Sequence, residues 1–229
     1  MRELLLIRHG QASFSAEDYD QLSSTGEAQS RLLGEWLTAY GQAPDLVATG
    51  PRVRHRDTAT LCLRAAGIDA SPVLLPGLDE VDHHELLVRL RPDLAAPGAV
   101  RAAMKQSEDP HCAFQRLFAD ALARWVSGEH DAEYSRSWQA FRAEVLQTLQ
   151  QLADGPAWRI WAFTSGGPIA VIVSHLLQTP EARTFQLSWP LVNTGVTRLR
   201  LGSRGTSLVT YNAWPHLEHS GDASLVTLR

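Results

Sequence analysis

Short apolar runs alternating with helical stripes constrain this chain more than any other feature. Residues 3–7 (ELLLI) form a continuous apolar run that stops at Arg8-His9-Gly10-Gln11. A run this short, bounded by glycine, reads as a strand buried on both faces. Such strands belong to parallel sheets covered by helices. Residues 46–49 and 72–75 repeat the signal. Between the first two runs, Leu32, Leu33, Trp36 and Leu37 recur at helical spacing, with Ser24 or Thr25 as the cap and Gly41 as the stop. A second helix starts at Pro51 and runs to Gly67. Strand, helix, strand, helix, strand is the α/β signature. The expected architecture is a three-layer α/β/α sandwich with a mostly parallel central sheet.

From Gly77 to about Tyr134 the alternation stops. Residues 86–90 look helical, Pro92 and Pro97 interrupt, and Phe114, Leu117, Phe118, Ala121, Leu122 and Trp125 make a helical stripe. This is read as a helical insertion at about 82–134 within a single domain spanning 1–229, placed to cap a site. The core pattern then resumes. A helix is expected over 137–152, a fourth core strand over 158–163 and a helix over 169–177, followed by strands at 196–201 and 207–211. Residues 214–229 carry only a weak pattern.

With 229 residues, 44% apolar and 20% charged, the chain has material for a sizeable core. Its formal charge of -4, with no long basic run, argues against a nucleic-acid surface. No apolar stretch is long enough to cross a bilayer. Two cysteines, Cys62 and Cys112, do not make a disulfide scaffold, and the first residues are too short for a signal peptide. A cytoplasmic protein is expected. Asp79, Asp82, His83, His84 and Glu85 invite a metal reading, but adjacent histidines rarely converge on one ion, so no metal site is assigned.

In α/β folds, ligands bind beyond the carboxyl ends of the strands. Arg8 and His9 stand at one such end, Arg54 early in the helix after another, and Ser165-Gly166-Gly167-Pro168 after a third. An arginine fork suits a phosphate, and a histidine can attack phosphorus. A strand, a glycine-rich turn and a helix present N–H groups to an anion. Arg52 and Arg56 flank Arg54 and are alternatives to it.

Arg8-His9-Gly10, the segment with Leu22, Thr25-Gly26 and Gln29, and Arg54 with Thr58-Ala59 together resemble the histidine phosphatase superfamily, the phosphoglycerate-mutase-like proteins. The resemblance runs from residue 4 to about 201, and the start Arg8-His9-Gly10-Gln11-Ala12-Ser13-Phe14 is similar to one bacterial group of it. It implies a phosphohistidine mechanism. His9 would attack phosphorus, Arg8 and Arg54 would hold the equatorial oxygens, and Glu80 would protonate the leaving alkoxide. It implies a phosphatase acting on a small phosphorylated metabolite. A phosphoglycerate-type mutase and a non-catalytic phospholigand-binding regulator are the alternatives. No cofactor and no metal are implied, because the arginines neutralise the phosphoryl charge. Gln11 would touch phosphate or substrate, Ser15 would donate one hydrogen bond to the phosphoryl group, and Thr25 is either a phosphate contact or a helix cap. His83 or His84 would line the pocket, and a homodimer is left open.

One position departs from the pattern. Many members carry a second histidine where this chain has Ser165. Ser165 and Gly166 would still offer donors to phosphate, with less positive charge, and Ser165 also reads as a cap for the helix that follows. Loss of one strong electrostatic contact typically costs about 10²–10³ in rate, so reduced activity is expected. His175, His216 and His219 lie away from every motif and are read as structural.

Overall fold

The computed structural model describes residues 2–13, 20–41, 43–105 and 107–228. Strand β1 (Arg2–Arg8) holds Leu4–Ile7 fully out of water, as the apolar run requires. Helix α1 (Ser24–Tyr40) follows, then β2 (Leu46–Thr49), α2 (Val53–Ala65) and β3 (Val73–Leu74). Three differences from the expected elements are local. The N-cap of α1 is Ser23, whose side chain accepts from the Gly26 N–H, rather than Ser24 or Thr25. Helix α2 begins two residues after Pro51, with Arg52 as its N-cap. Strand β3 has only two residues, both half-exposed, because it is an edge strand with a neighbour on one side.

The chain divides into two compact units. The second comprises Val81–Ala143 with Pro180–Ala182, and the insertion expected at about 82–134 falls inside it. It contains α3 (His83–Leu90), α4 (Ala99–Lys105), α5 (Pro110–Val126) and the first part of α6 (Trp138–Asp154). Asp82 caps α3 and Asp109 caps α5, each accepting from the backbone N–H three residues on. Its core is aromatic. The Trp125 ring meets Trp138 edge-on and tilts against Phe141, each with centroids 5.5 Å apart. The Trp138 indole N–H is satisfied by Glu181 Oε2 at 2.8 Å.

The first unit carries the sheet. Strand β4 (Arg159–Thr164) leads into α7 (Gly166–Leu177); β5 (Val196–Gly202), β6 (Gly205–Ala213) and α8 (Pro215–Ser220) complete it. Strand order is β3-β2-β4-β1-β5-β6. The first four strands run parallel, whereas β5 runs antiparallel to β1 and β6 antiparallel to β5. The sheet is therefore mixed, and helices flank it. Side chains alternate across it. Leu5, Ile7, Val47, Trp161 and Phe163 share one buried cluster with Leu33 and Leu37 of α1 and Ala59, Cys62 and Leu63 of α2. Leu4, Leu6, Ile160 and Ala162, pointing the other way, are equally buried. Helix α7 is buried from Gly166 to Ser174, which explains its nearly continuous apolar sequence.

Candidate active site

Strands β1, β2 and β4 are parallel, so the residues that follow them gather at one edge of the sheet. β1 and β4 pair as far as Arg8 opposite Thr164, and the His9 N–H donates to the Thr164 carbonyl at 2.9 Å. Ser165 therefore follows beside His9. β2 ends next to β4, with the Gly50 N–H on the Phe163 carbonyl at 3.0 Å, and delivers the start of α2 to the same edge.

His9 is 7% exposed. Its Nδ1 lies 2.7 Å from the Gly10 carbonyl oxygen, which accepts a proton and gives none. That fixes the tautomer with hydrogen on Nδ1 and a lone pair on Nε2. Burial holds the imidazole pKa well below its ordinary value, and the Arg54 and Arg8 charges push it the same way. The result is a neutral ring with an unprotonated Nε2.

Arg54 Nε donates to that nitrogen at 3.2 Å, and Arg54 Nη1 pairs with Asp20 Oδ1 at 2.9 Å. Asp20 Oδ2 accepts from the Val53 N–H at 2.8 Å, so one carboxylate orients the guanidinium and satisfies the first turn of α2. Of the three neighbouring arginines, Arg54 is the one buried against His9. Arg52 pairs with Asp79 at 2.6 Å, and Arg56 donates to the Pro51 carbonyl at an exposed position. Arg8 directs Nη1 to the carbonyl oxygens of Leu191 and, at 2.7 Å, Leu228.

Glu80 is buried, and its Oε2 accepts from the Gly167 N–H at 3.4 Å, at the amino end of α7. Asp79 holds its backbone in place: Asp79 Oδ1 accepts from the Glu80 N–H at 2.7 Å. Ser165 is fully buried and is the N-cap residue of α7, yet its side chain makes no capping bond. Its Oγ instead meets His55 Nε2 at 2.6 Å.

The chain matches the family described as the histidine phosphatase superfamily (branch 1) over residues 4–113 and 103–213. It belongs to that superfamily. A 2,3-bisphosphoglycerate-dependent phosphoglycerate mutase of Caulobacter sp. (strain K31) is 26% identical over 217 residues, covering 84% of this chain and 87% of the relative. The corresponding mutase of Clavibacter michiganensis subsp. michiganensis is 33% identical over 78 residues, so the chain spans about a third (31%) of the length of that relative. Among solved structures, a mutant phosphoserine phosphatase from Entamoeba histolytica in complex with phosphoserine superposes with a TM-score of 0.65 at 20% identity. It covers 95% of this chain and 100% of its own. A mycobacterial glucosyl-3-phosphoglycerate phosphatase complexed with inorganic phosphate superposes with a TM-score of 0.59 at 23% identity, covering 94% and 99%. These likenesses establish the fold of the histidine phosphatases.

The remaining residues expected at the site are placed as follows. The Gln11 carboxamide oxygen accepts from Ser23 Oγ at 2.8 Å, at the start of α1. Thr25 lies half-buried in the first turn of α1. Gly166 is the first residue of α7. His83 opens α3 in the other unit, its ring edge-on to Phe118 at 4.8 Å. Ser15 lies outside the described residues. Among the described residues, no group of three or more His, Cys, Asp or Glu side chains is arranged to hold a metal ion.

Sequence reasoning passes over Asp20, His55, Asn193 and Thr194 at this site, and it reads a fifth residue, His216, only as structural. Asn193 Nδ2 donates to the His9 carbonyl at 3.1 Å, and the Thr194 N–H donates to the Arg8 carbonyl at 3.1 Å. His216 Nε2 meets Thr194 Oγ1 at 2.9 Å. The structural role read for His216 thus has a specific content, since it braces the strip that holds His9. None of the five belongs to a local motif. The available signal was a histidine adjoining Arg54 at the start of a helix.

Proposed function

We propose that this chain is a phosphomonoester hydrolase that transfers the phosphoryl group of a small phosphorylated metabolite to His9 Nε2 and then to water. The observation that carries the reading is the state of His9. A buried, neutral imidazole, with Nδ1–H bonded to Gly10 and the Nε2 lone pair facing a buried guanidinium, is prepared for in-line attack on phosphorus. Phosphoryl transfer is mostly positioning and neutralisation of charge on the equatorial oxygens. In this reading Arg54 leaves Asp20 in part to hold those oxygens, and Arg8 adds positive charge behind them. The Gly166 N–H donates from the α7 side, while the Ser165 hydroxyl is engaged by His55. Glu80, held at the same helix end, delivers a proton to the departing alkoxide and then takes one from the attacking water. Gln11, Thr25 and Ser15 keep the auxiliary roles expected of them in binding substrate.

A mutase reading is favoured by the Caulobacter relative. It requires a phosphohistidine that survives long enough for the product to turn round and be rephosphorylated.

The test is hydrolysis of an aryl phosphate, with phosphoserine, 3-phosphoglycerate and glucosyl-3-phosphoglycerate as a panel, beside His9→Ala. Removal of a covalent nucleophile is expected to lower kcat by at least about 10³-fold, and the wild-type chain should yield an acid-labile, base-stable phosphoenzyme. Full activity in His9→Ala would end the reading. Exchange of phosphate between 2- and 3-phosphoglycerate without net release would favour the mutase.

A further inference from the structure

Arg52 takes no part in the mechanism above, yet its guanidinium reaches the segment that carries Glu80. It is the N-cap residue of α2, two positions before Arg54. An arginine has only donors and cannot accept from a helix N–H. Asp20 does so for Val53 instead, which leaves the Arg52 side chain for other partners. Arg52 Nε donates to Asp79 Oδ1 at 2.6 Å, and Arg52 Nη2 donates to the Glu80 carbonyl at 3.3 Å. Asp79 Oδ1 also accepts from the Glu80 N–H at 2.7 Å. Both backbone polar groups of Glu80 are therefore held, the N–H by Asp79 and the carbonyl by Arg52. We propose that Arg52 is a positioning residue for the proton donor, which with Asp79 clamps Glu80 in register with Arg54 at the start of α2. The inference rests on the phosphotransfer reading. It adds the link between the arm that holds the phosphoryl group and the acid that serves the leaving group.

The value of the Arg52–Asp79 pair is geometric. Its side chains are 32% and 24% exposed, and an ion pair so open to water contributes at most about 1 kcal/mol to stability. What it fixes is the rotamer of Asp79. With Nε on Oδ1, the carboxylate is held where it accepts from the Glu80 N–H. Burial alone would lower the Arg52 pKa, but the hydrogen bond to Asp79 and the charges of Asp79, Glu80 and Asp20 raise it. The cation thus stands among the carboxylate that orients Arg54 and the one expected to act as acid. The flanking contacts are already made. The Leu78 carbonyl accepts from Thr164 Oγ1 at 2.7 Å, at the end of β4, and Glu80 Oε2 accepts from the Gly167 N–H at 3.4 Å. Arg52 and Asp79 complete the hold on the backbone between these two anchors. A general acid has to sit within hydrogen-bond reach of the leaving oxygen, and a shift of about 1 Å can cost about 10²-fold in rate.

The experiment compares kcat/KM for benzyl phosphate and p-nitrophenyl phosphate. The benzyl alkoxide is strongly basic and needs a proton to leave, whereas p-nitrophenoxide departs readily as an anion. The variants are Arg52→Leu, Arg52→Gln, Glu80→Gln and the double variant Arg52→Leu/Glu80→Gln. In Arg52→Leu the loss on benzyl phosphate should exceed the loss on p-nitrophenyl phosphate by about 10- to 100-fold, the cost of a misplaced acid. Glu80→Gln should show the same bias more strongly, since a general acid contributes about 10²–10⁴-fold. The double variant should be no more biased than Glu80→Gln, because Arg52 acts through Glu80. The amide nitrogen of a glutamine stands where Arg52 Nε does along the side chain. Arg52→Gln should therefore keep the Asp79 contact and recover part of the benzyl phosphate turnover, and it serves as the test if Arg52→Leu does not fold. Equal losses on the two substrates in the Arg52 variants would mark a purely structural role and overturn the proposal. Equal losses in Glu80→Gln would remove the acid and the proposal with it. In either case an inactive His9→Ala would leave phosphoryl transfer to His9 standing. Full activity in His9→Ala would overturn both.

Discussion

Asp20 shows how much one carboxylate settles at this site. It joins two elements by accepting from the Val53 N–H with one oxygen and from Arg54 with the other. The ion pair is mostly buried, with Arg54 6% and Asp20 25% exposed at their side chains. An orphan helix N–H costs free energy unless something accepts from it. Asp20→Ala is therefore expected to lower the unfolding free energy by about 1–2 kcal/mol, the loss of a cap plus part of an ion pair. Asp20→Asn keeps an acceptor for Val53 and should lose less. Urea unfolding of the two variants measures this, and equal stability of Asp20→Ala and wild type would exclude the bracing role. The same residue marks a limit of sequence reading. Asp20 follows a polar stretch with no motif, and its partners lie 33 and 34 positions away. His55 likewise meets Ser165 across 110 positions. Tertiary pairings of this kind leave no periodic trace.

Elements meet at the His9 turn by close backbone approach, and two glycines allow it. A Cβ on Gly26 would overlap the Gln11 carbonyl oxygen, and one on Gly10 would overlap the Gly26 carbonyl oxygen. The surrounding motif residues seal the contact. Gln29 Oε1 accepts from the Gln11 N–H at 2.9 Å, and Thr58 Oγ1 accepts from the Gly10 N–H at 3.0 Å. Gly26→Ala should thus push α1 off the turn. It is expected to cost about 1–3 kcal/mol, the usual range for overpacking, and to reduce turnover by displacing His9. Thermal unfolding and aryl phosphate kinetics measure the two effects, and an alanine variant normal in both would refute the account. The helices and strands of the first unit were legible because each is long enough to show a period of 3.6 or a continuous apolar run. The tail was not. Helix α8 has six residues, and the segment after it works largely through backbone atoms, with the Thr227 carbonyl accepting from the Asn193 N–H and the Leu225 carbonyl from Gln29; Thr227 Oγ1 is the one side-chain group of that segment among these contacts. Backbone acceptors carry no side-chain signature, so residues that support the site looked like an unpatterned end.

At the scale of the whole molecule, the site was legible as chemistry and illegible as support. Arg8, His9, Arg54 and Ser165 could be named because strand ends in an α/β sheet converge. That the fold would hold three neutral histidines out of water could not, since nothing in the sequence distinguishes a buried His55 or His216 from an exposed His219. Those three rings have a consequence for stability. Burial lowers the pKa of His9 and His55 well below the ordinary value, with arginine charges adding to it, and burial alone pushes His216 down to about 4. In the unfolded chain each ring titrates at about 6.5. Above that pH both states are neutral and the histidines contribute nothing to pH dependence. Below it the unfolded chain takes up protons that the folded chain refuses, so stability falls as the solution is acidified. For His216 the loss between its two pKa values is on the order of 3 kcal/mol. At pH 5.5 unfolding should take up about one to three protons, a slope of about 1–4 kcal/mol per pH unit. Urea unfolding at pH 7.5, 6.5 and 5.5 measures it directly. The decline should set in as the pH drops through 6.5, well above the range in which carboxylates protonate. Stability that stays level from pH 7.5 to 5.5 would mean that these rings reach solvent and take up protons in the folded state, and His9 would then not be the neutral nucleophile on which the phosphotransfer reading depends.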